Sequence, residues 1–232
     1  MAAFESEQAA PQARDMRSLL LRGVLVLTFI CLGSGLGVGL LFCSMEDNIE
    51  NNRRKAFLAT LQVVLPEASA EQTVGEYPGT VPLEKRIFRS ETSDGVLYAG
   101  MGAAQGYSSE IKVLVSVRAE EAGRPLGEDP VIHRMAVVSS QETPGLGENI
   151  NLVEKDVSVW GAVAGERSTP GRPWFQEQFS GKRLSDLIVE TTRETEKIAA
   201  VTGATISSTA ATEATRRAVN RIIERTREVY GQ

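Results

Sequence analysis

The chain has 232 residues, of which 42% are hydrophobic and 24% charged, and its formal net charge is -5. That is a globular composition, long enough for one sizeable domain plus an appendage. The acidic balance argues against a nucleic-acid binder, and one histidine (His133) with two cysteines (Cys31 and Cys43, both in one apolar run) leaves little for a zinc site, a histidine triad or a disulfide.

In chain order, residues 1–18 read as an N-terminal tail and residues 19–43 as a transmembrane helix. From Gly23 to Cys43 no charge occurs; about 21 residues at about 1.5 Å each give about 31 Å, close to the thickness of a bilayer core. A cleaved signal peptide would have a shorter apolar region and a small-residue cleavage site. Gly33, Gly35, Gly37 and Gly39 would let another membrane helix approach closely. Arg14, Arg17 and Arg22 lie nearer the run than Arg53, Arg54 and Lys55, which favours a cytoplasmic N-terminus and an exported domain. Residues 44–66 read as a membrane-proximal helix, with Ile49, Phe57, Leu61 and Val64 near helical spacing and Pro66 ending it.

Residues 67–232 form the predicted domain. Strands are expected at Glu84–Arg89, Gly95–Ala99, Ile111–Val117, Ile132–Ser139 and Leu187–Glu190. Gly161–Pro173 reads as an exposed loop, Trp174–Phe179 as a helical turn and Ser207–Val229 as a closing helix. Strands and helices do not alternate strictly, so the class is α+β: one N-terminal transmembrane helix followed by one mixed α/β domain.

Two short stretches carry candidate chemistry. Thr202-Gly203-Ala204-Thr205 opens the last helix, where unpaired N–H groups and a partial positive charge suit a phosphate. Alone it reads as an N-cap with a hydroxyl-rich first turn. Glu142-Thr143-Pro144-Gly145-Leu146-Gly147 follows a predicted strand. Pro144 and Gly145 suit the centre of a tight turn. Thr143 could bond a ligand edge, Leu146 could pack on a ring and Gly147 could let the backbone pass a flat group. Alone it is equally a turn that ends a strand.

Together, behind one N-terminal membrane helix, these motifs resemble the FMN-binding domain of bacterial redox-pump subunits: the G subunit of the Rnf ferredoxin:NAD oxidoreductase and the related C subunit of the sodium-pumping NADH:quinone reductase. Gly106-Tyr107, Trp174-Phe175 and Phe179-Ser180-Gly181-Lys182 add to the likeness. The resemblance implies FMN joined covalently through its phosphate to Thr205 by a separate flavin transferase. It implies that Glu142, Thr143, Leu146 and Gly147 line the isoalloxazine, with Thr202, Gly203 and Ala204 around the phosphate; Trp174 either closes the pocket or belongs to the core. Arg216 and Arg217 are candidates for neutralising the phosphate.

The implied role is electron relay within an ion-pumping complex in the bacterial inner membrane, without acid–base catalysis. Its partners would be the complex's other membrane and iron–sulfur subunits. The alternatives are the C subunit of the sodium-translocating NADH:quinone reductase and a membrane-anchored module that binds FMN noncovalently, without an electron-transfer role. One departure is Ala199, where the family's modification motif often begins with Asp.

Overall fold

A computed structural model describes residues 9–66, 72–77, 81–92, 95–119, 121–151, 173–192 and 197–231. The chain divides into two units, Met1–Arg54 and Lys55–Gln232. Except for Pro173, the predicted Gly161–Pro173 loop lies outside the described residues.

The first unit is built on helix α1, which runs over Ala9–Val64. The run from Leu19 to Phe42 leaves its large apolar side chains exposed, and a Cβ on Gly33, Gly35, Gly37 or Gly39 would meet nothing within 4 Å. Among the described residues this is the one helix long and apolar enough to cross a membrane. A bilayer would cover such a surface. The sequence suggests two helices meeting at residues 43 and 44; the structure has one. No Gly or Pro falls between Ser44 and Leu65, so nothing breaks the hydrogen-bond ladder. Pro66 ends it, because the residue before a proline is disfavoured in the helical region.

The second unit is centred on a four-stranded antiparallel meander in the order β1-β2-β3-β4. Its strands are β1 (Phe88–Thr92), β2 (Gly95–Gln105), β3 (Glu110–Ala119) and β4 (Ile132–Ser139). A short helix α2 (Trp174–Glu177), a two-residue parallel ladder of β5 (Val189–Glu190) with β6 (Ile198–Ala199), and the long helix α3 (Thr205–Tyr230) complete it. The predicted strand at Glu84–Arg89 is corrected: Leu83–Lys85 is a 3-10 turn and the strand starts at Phe88. Arg86 closes that turn, its N–H reaching the Leu83 carbonyl and its guanidinium the Val81 carbonyl.

The period-two pattern of β3 sorts two cores onto opposite faces of the sheet. Ile111, Val113, Val115 and Val117 join the core that holds the small face of α3, with Ala210, Ala211, Ala214 and Ala218. Leu114 joins Phe88, Leu97, Ala99, Met101 and Ala136 in the other core, which Phe57, Leu61, Val64 and Leu65 from the last turns of α1 complete. Ser116 donates to the Val64 carbonyl at 2.8 Å and Ser90 to the Pro66 carbonyl at 2.9 Å, satisfying the end of α1 where no further turn can. Leu61 is only 1% exposed. Leu61→Ala is therefore expected to destabilise the second unit by about 2–5 kcal/mol. A thermal melt of the detergent-solubilised protein checks this; an unchanged midpoint would mean that these turns do not belong to the core.

Candidate functional site

The site gathers at one end of the sheet, where β2 turns into β3, β4 runs out and α3 begins. The β4 exit is the Glu142–Gly147 stretch. Leu146 N–H donates to the Thr143 carbonyl at 3.1 Å, and Gly145 has φ +77°. With Pro144 ahead of it, that is the type II turn the sequence suggests. A 3-10 turn, Gly147–Asn151, follows.

The approach to α3 is a second tight turn. Ala204 N–H donates to the Val201 carbonyl at 2.9 Å, with Gly203 at φ +76°. The N-cap residue is Ala204, which has no side-chain oxygen to offer, and no side-chain cap is formed. The N–H groups of Thr205, Ile206 and Ser207 thus begin the helix without a helical carbonyl to bond. Thr202, Gly203 and Thr205 are exposed and Ala204 is buried. The Thr205 hydroxyl makes no hydrogen bond among the described residues. The Ser208 hydroxyl lies on the buried side, where its Oγ accepts from Val201 N–H at 3.0 Å and steadies the approach.

The two turns are joined through Glu142. Its side chain is 6% exposed and its carboxylate points inward. Oε1 accepts from Ser108 N–H (3.1 Å), Ser109 N–H (3.0 Å) and the Ser109 hydroxyl (3.3 Å). Oε2 accepts from Tyr107 N–H at 3.2 Å and from the Ser207 hydroxyl at 2.6 Å. Burial alone would raise its pKa, but the Ser207 hydroxyl and the three backbone N–H groups outweigh that and hold the carboxyl below its ordinary value of 4.5.

Because the folded pKa is depressed, the stabilisation is complete above the unfolded value and is lost as pH falls through the folded one. Wild type is therefore expected to be more stable than Glu142→Gln at neutral pH, with the gap narrowing below pH 4.5. Urea unfolding at several pH values measures it. A gap that does not change with pH would show that the charge contributes nothing.

The geometry revises several expected roles. The Glu142 carboxylate is buried and bonded to protein groups. A Cβ on Gly147 would lie 2.6 Å from Glu142 Oε2 and 2.6 Å from Ser207 Oγ, so this glycine makes room for the carboxylate. Thr143 remains at the surface side of the turn, its hydroxyl 3.1 Å from that of Ser108. Leu146 is 49% exposed, and its Cδ2 would lie 3.4 Å from a Cβ on Gly203, so the two motifs meet there. Trp174 is half-buried against the main core and edge-on to Phe175, with centroids 6.3 Å apart.

Arg216 bonds the Leu187 carbonyl, and Arg217 bonds Glu213 and the Ala103 carbonyl. Both sit about 16 Å or more along the helix from Thr205, so neither arginine serves the helix start. Ala199 is buried in β6, and the Gln178 side chain both accepts from its N–H (2.8 Å) and donates to its carbonyl (3.2 Å). An Asp there would place its carboxylate against the core.

Sequence reasoning missed Ser207, Ser108 and Ser109. For Ser207 the signal was the hydroxyl excess at the start of α3 over what one helix cap needs; Ser108 and Ser109, in the turn between β2 and β3, carried no local signal. Tyr107 (71% exposed) and Ile206 (57%) add apolar surface to the same rim as Leu146. Cavities of about 340 and 230 Å³ lie elsewhere, lined respectively by residues such as Arg118 and Leu126 and by Arg134 and Gln176. Neither is lined by the Thr202–Thr205 turn.

Residues 106–220 match the FMN-binding domain family, a span that starts at the Tyr107 loop and ends inside α3. The G subunit of an ion-translocating oxidoreductase complex from Vibrio parahaemolyticus is 27% identical over 222 residues, covering 90% of this chain and 92% of the relative. Subunits of the same name from two Vibrio cholerae strains are 26% and 25% identical over 140 and 139 residues, or 56% of this chain. Those alignments span 62% of the Vibrio cholerae subunits' length. The matched span holds both turns and the start of α3, so this part of the chain matches the FMN-binding domain family, and the chain is similar to the G subunits of ion-translocating oxidoreductase complexes.

Proposed function

We propose that the chain is the flavin-carrying G subunit of an ion-translocating ferredoxin:NAD oxidoreductase, with FMN held as a phosphate ester on Thr205. The observation that carries this reading is the exposed Thr205 hydroxyl, unbonded among the described residues, at the uncapped start of α3 and within the FMN-binding match. Bound FMN supplies transfer of one or two electrons.

The residues present fit that group. The first-turn N–H groups favour a negative charge by about 0.3–1 kcal/mol, too little to retain a cofactor alone. A covalent link supplies the retention. Gly203 and the small Ala204 leave the approach open. Leu146, Ile206 and Tyr107 offer apolar surface for a ring, and Thr143 with Ser108 offers hydroxyls at its margin. Trp174 supports the fold beneath this end and need not touch the flavin.

Attachment is a transfer of a flavin phosphoryl group. The Thr205 oxygen forms a bond to phosphorus and gives up its proton to a base of the transferase. A diphosphate P–O bond breaks in the donor, and a nucleoside monophosphate leaves. The donor class is a flavin dinucleotide, because FMN itself would have to expel hydroxide. A separate flavin transferase performs this step.

The membrane helix then keeps the flavin domain at high effective concentration near its neighbours. Those neighbours are the membrane and iron–sulfur subunits of the complex. The domain sits on the outer face of the bacterial inner membrane, as the arginines before the apolar run favour. The names of the relatives favour the G subunit over the quinone-reductase C subunit.

The test is mass spectrometry of protein made with a flavin transferase. The peptide Ile198–Arg216 should carry the mass of an FMN ester. The unmodified mass alone would overturn the reading.

A further inference from the structure

We propose that Glu142 is the positioning residue for Thr205: through Ser207 it fixes the rotation of the first turn of α3 so that the Thr205 hydroxyl faces outward, and it does not touch the flavin. The proposal rests on the reading of Thr205 as the attachment point. Three separate backbone segments meet at the Glu142 carboxylate: the 107–109 turn, its own turn and the start of α3. Burying a carboxylate is costly, and an apolar contact would hold the segments together at least as well. What a carboxylate adds is direction.

Ser207 is two residues beyond Thr205, and at about 100° per residue their side chains point about 200° apart around the helix. Drawing Ser207 inward at 2.6 Å therefore turns Thr205 outward. The surroundings are cut to this arrangement. A Cβ on Gly106 would lie 2.5 Å from Glu142 Oε1, and one on Gly147 would lie 2.6 Å from both Glu142 Oε2 and Ser207 Oγ. Gly106 and Gly147 thus have their space taken by the positioning carboxylate.

The test uses the full-length protein, produced with a flavin transferase. Ser207→Ala leaves Glu142 tied to the 107–109 turn and frees only α3. Glu142→Gln keeps the shape and removes the charge. Thr209→Ala is the control; its hydroxyl bonds the Thr205 carbonyl along the helix at 2.8 Å and has no part in the carboxylate network. Ser207→Ala is expected to fold but to acquire flavin about tenfold more slowly, in line with loss of a hydrogen bond to a charged group. The flavin it does acquire should show weakened visible circular dichroism, and the Thr205–Ser207 amides should exchange faster.

Thr209→Ala should match wild type. If Ser207→Ala does not fold, Glu142→Gln is read for the same three signals. Wild-type attachment rate and dichroism in the folded variant would overturn the proposal. That outcome differs from failure of the functional reading, in which wild type itself would carry no flavin.

Discussion

Thr205→Val is expected to abolish covalent flavin while leaving the fold intact. On a denaturing gel under ultraviolet light, wild type made with a transferase should fluoresce and the variant should not. Valine keeps the β-branched shape of threonine and removes only the oxygen. Thr205 is exposed and its hydroxyl bonds nothing among the described residues, so the stability change should stay within about 0.5 kcal/mol. Thr205→Ser should keep the fluorescence, because the nucleophilic oxygen survives. Thr202→Val should keep it too, since Thr202 sits before the helix and outside its first turn. A fluorescent Thr205→Val band would move the attachment to another hydroxyl. Loss of fluorescence in Thr202→Val as well would make the Thr202–Ala204 turn part of what the transferase reads.

Much of this end of the molecule was legible in the sequence. The Pro144-Gly145 turn and the approach to α3 depend on local chemistry, a fixed proline φ and a glycine at positive φ; the turn appears where the residues suggest, and α3 begins at Thr205, two residues before the expected Ser207. Strand β4 matches its predicted span, and β3 differs by only a few residues at its ends. The role of Glu142 was not legible. Its partners Tyr107, Ser108, Ser109 and Ser207 lie 33 to 65 residues away, and only the fold brings them to one carboxylate. A surface-looking acid beside Thr-Pro-Gly reads as a ligand contact until its burial is known.

Strand β2 failed for a related reason. It was expected to end at Ala99 and continues to Gln105. Met101-Gly102-Ala103-Ala104 has neither β-branched residues nor alternation, so nothing local marks it as strand. Its small residues answer to α3, which lies at the far end of the chain.

That answer makes Gly102→Ala a substitution with a large expected loss of stability. A Cβ at this position would lie 2.0 Å from the Ala214 carbonyl oxygen, 2.7 Å from Ala218 N and 3.0 Å from the Ala214 carbonyl carbon. Each of these is backbone of α3, so no side chain can rotate away. Relief requires α3 to lift from β2, and that withdraws Ala211, Ala214 and Ala218, all fully buried, from the core at once. Overpacking typically costs about 1–3 kcal/mol, and a rigid backbone neighbour puts this case at about 3 kcal/mol or more.

Gly100→Ala is the internal comparison, one step along the same face. There the Cβ would meet the Ile87 Cδ1 tip at 2.7 Å and Ile222 Cγ1 at 2.9 Å. Both are side chains that can shift, so the cost should be nearer about 1 kcal/mol. Urea unfolding of the two variants, in detergent and without flavin, measures the difference. Equal losses would mean that the helix does not rest on the strand backbone at Gly102. The same contact bears on the site, because α3 carries Thr205 at its start. A helix displaced at Ala214 also tilts its first turn away from Glu142, so Gly102→Ala should lose flavin attachment along with stability, whereas Gly100→Ala should keep most of it.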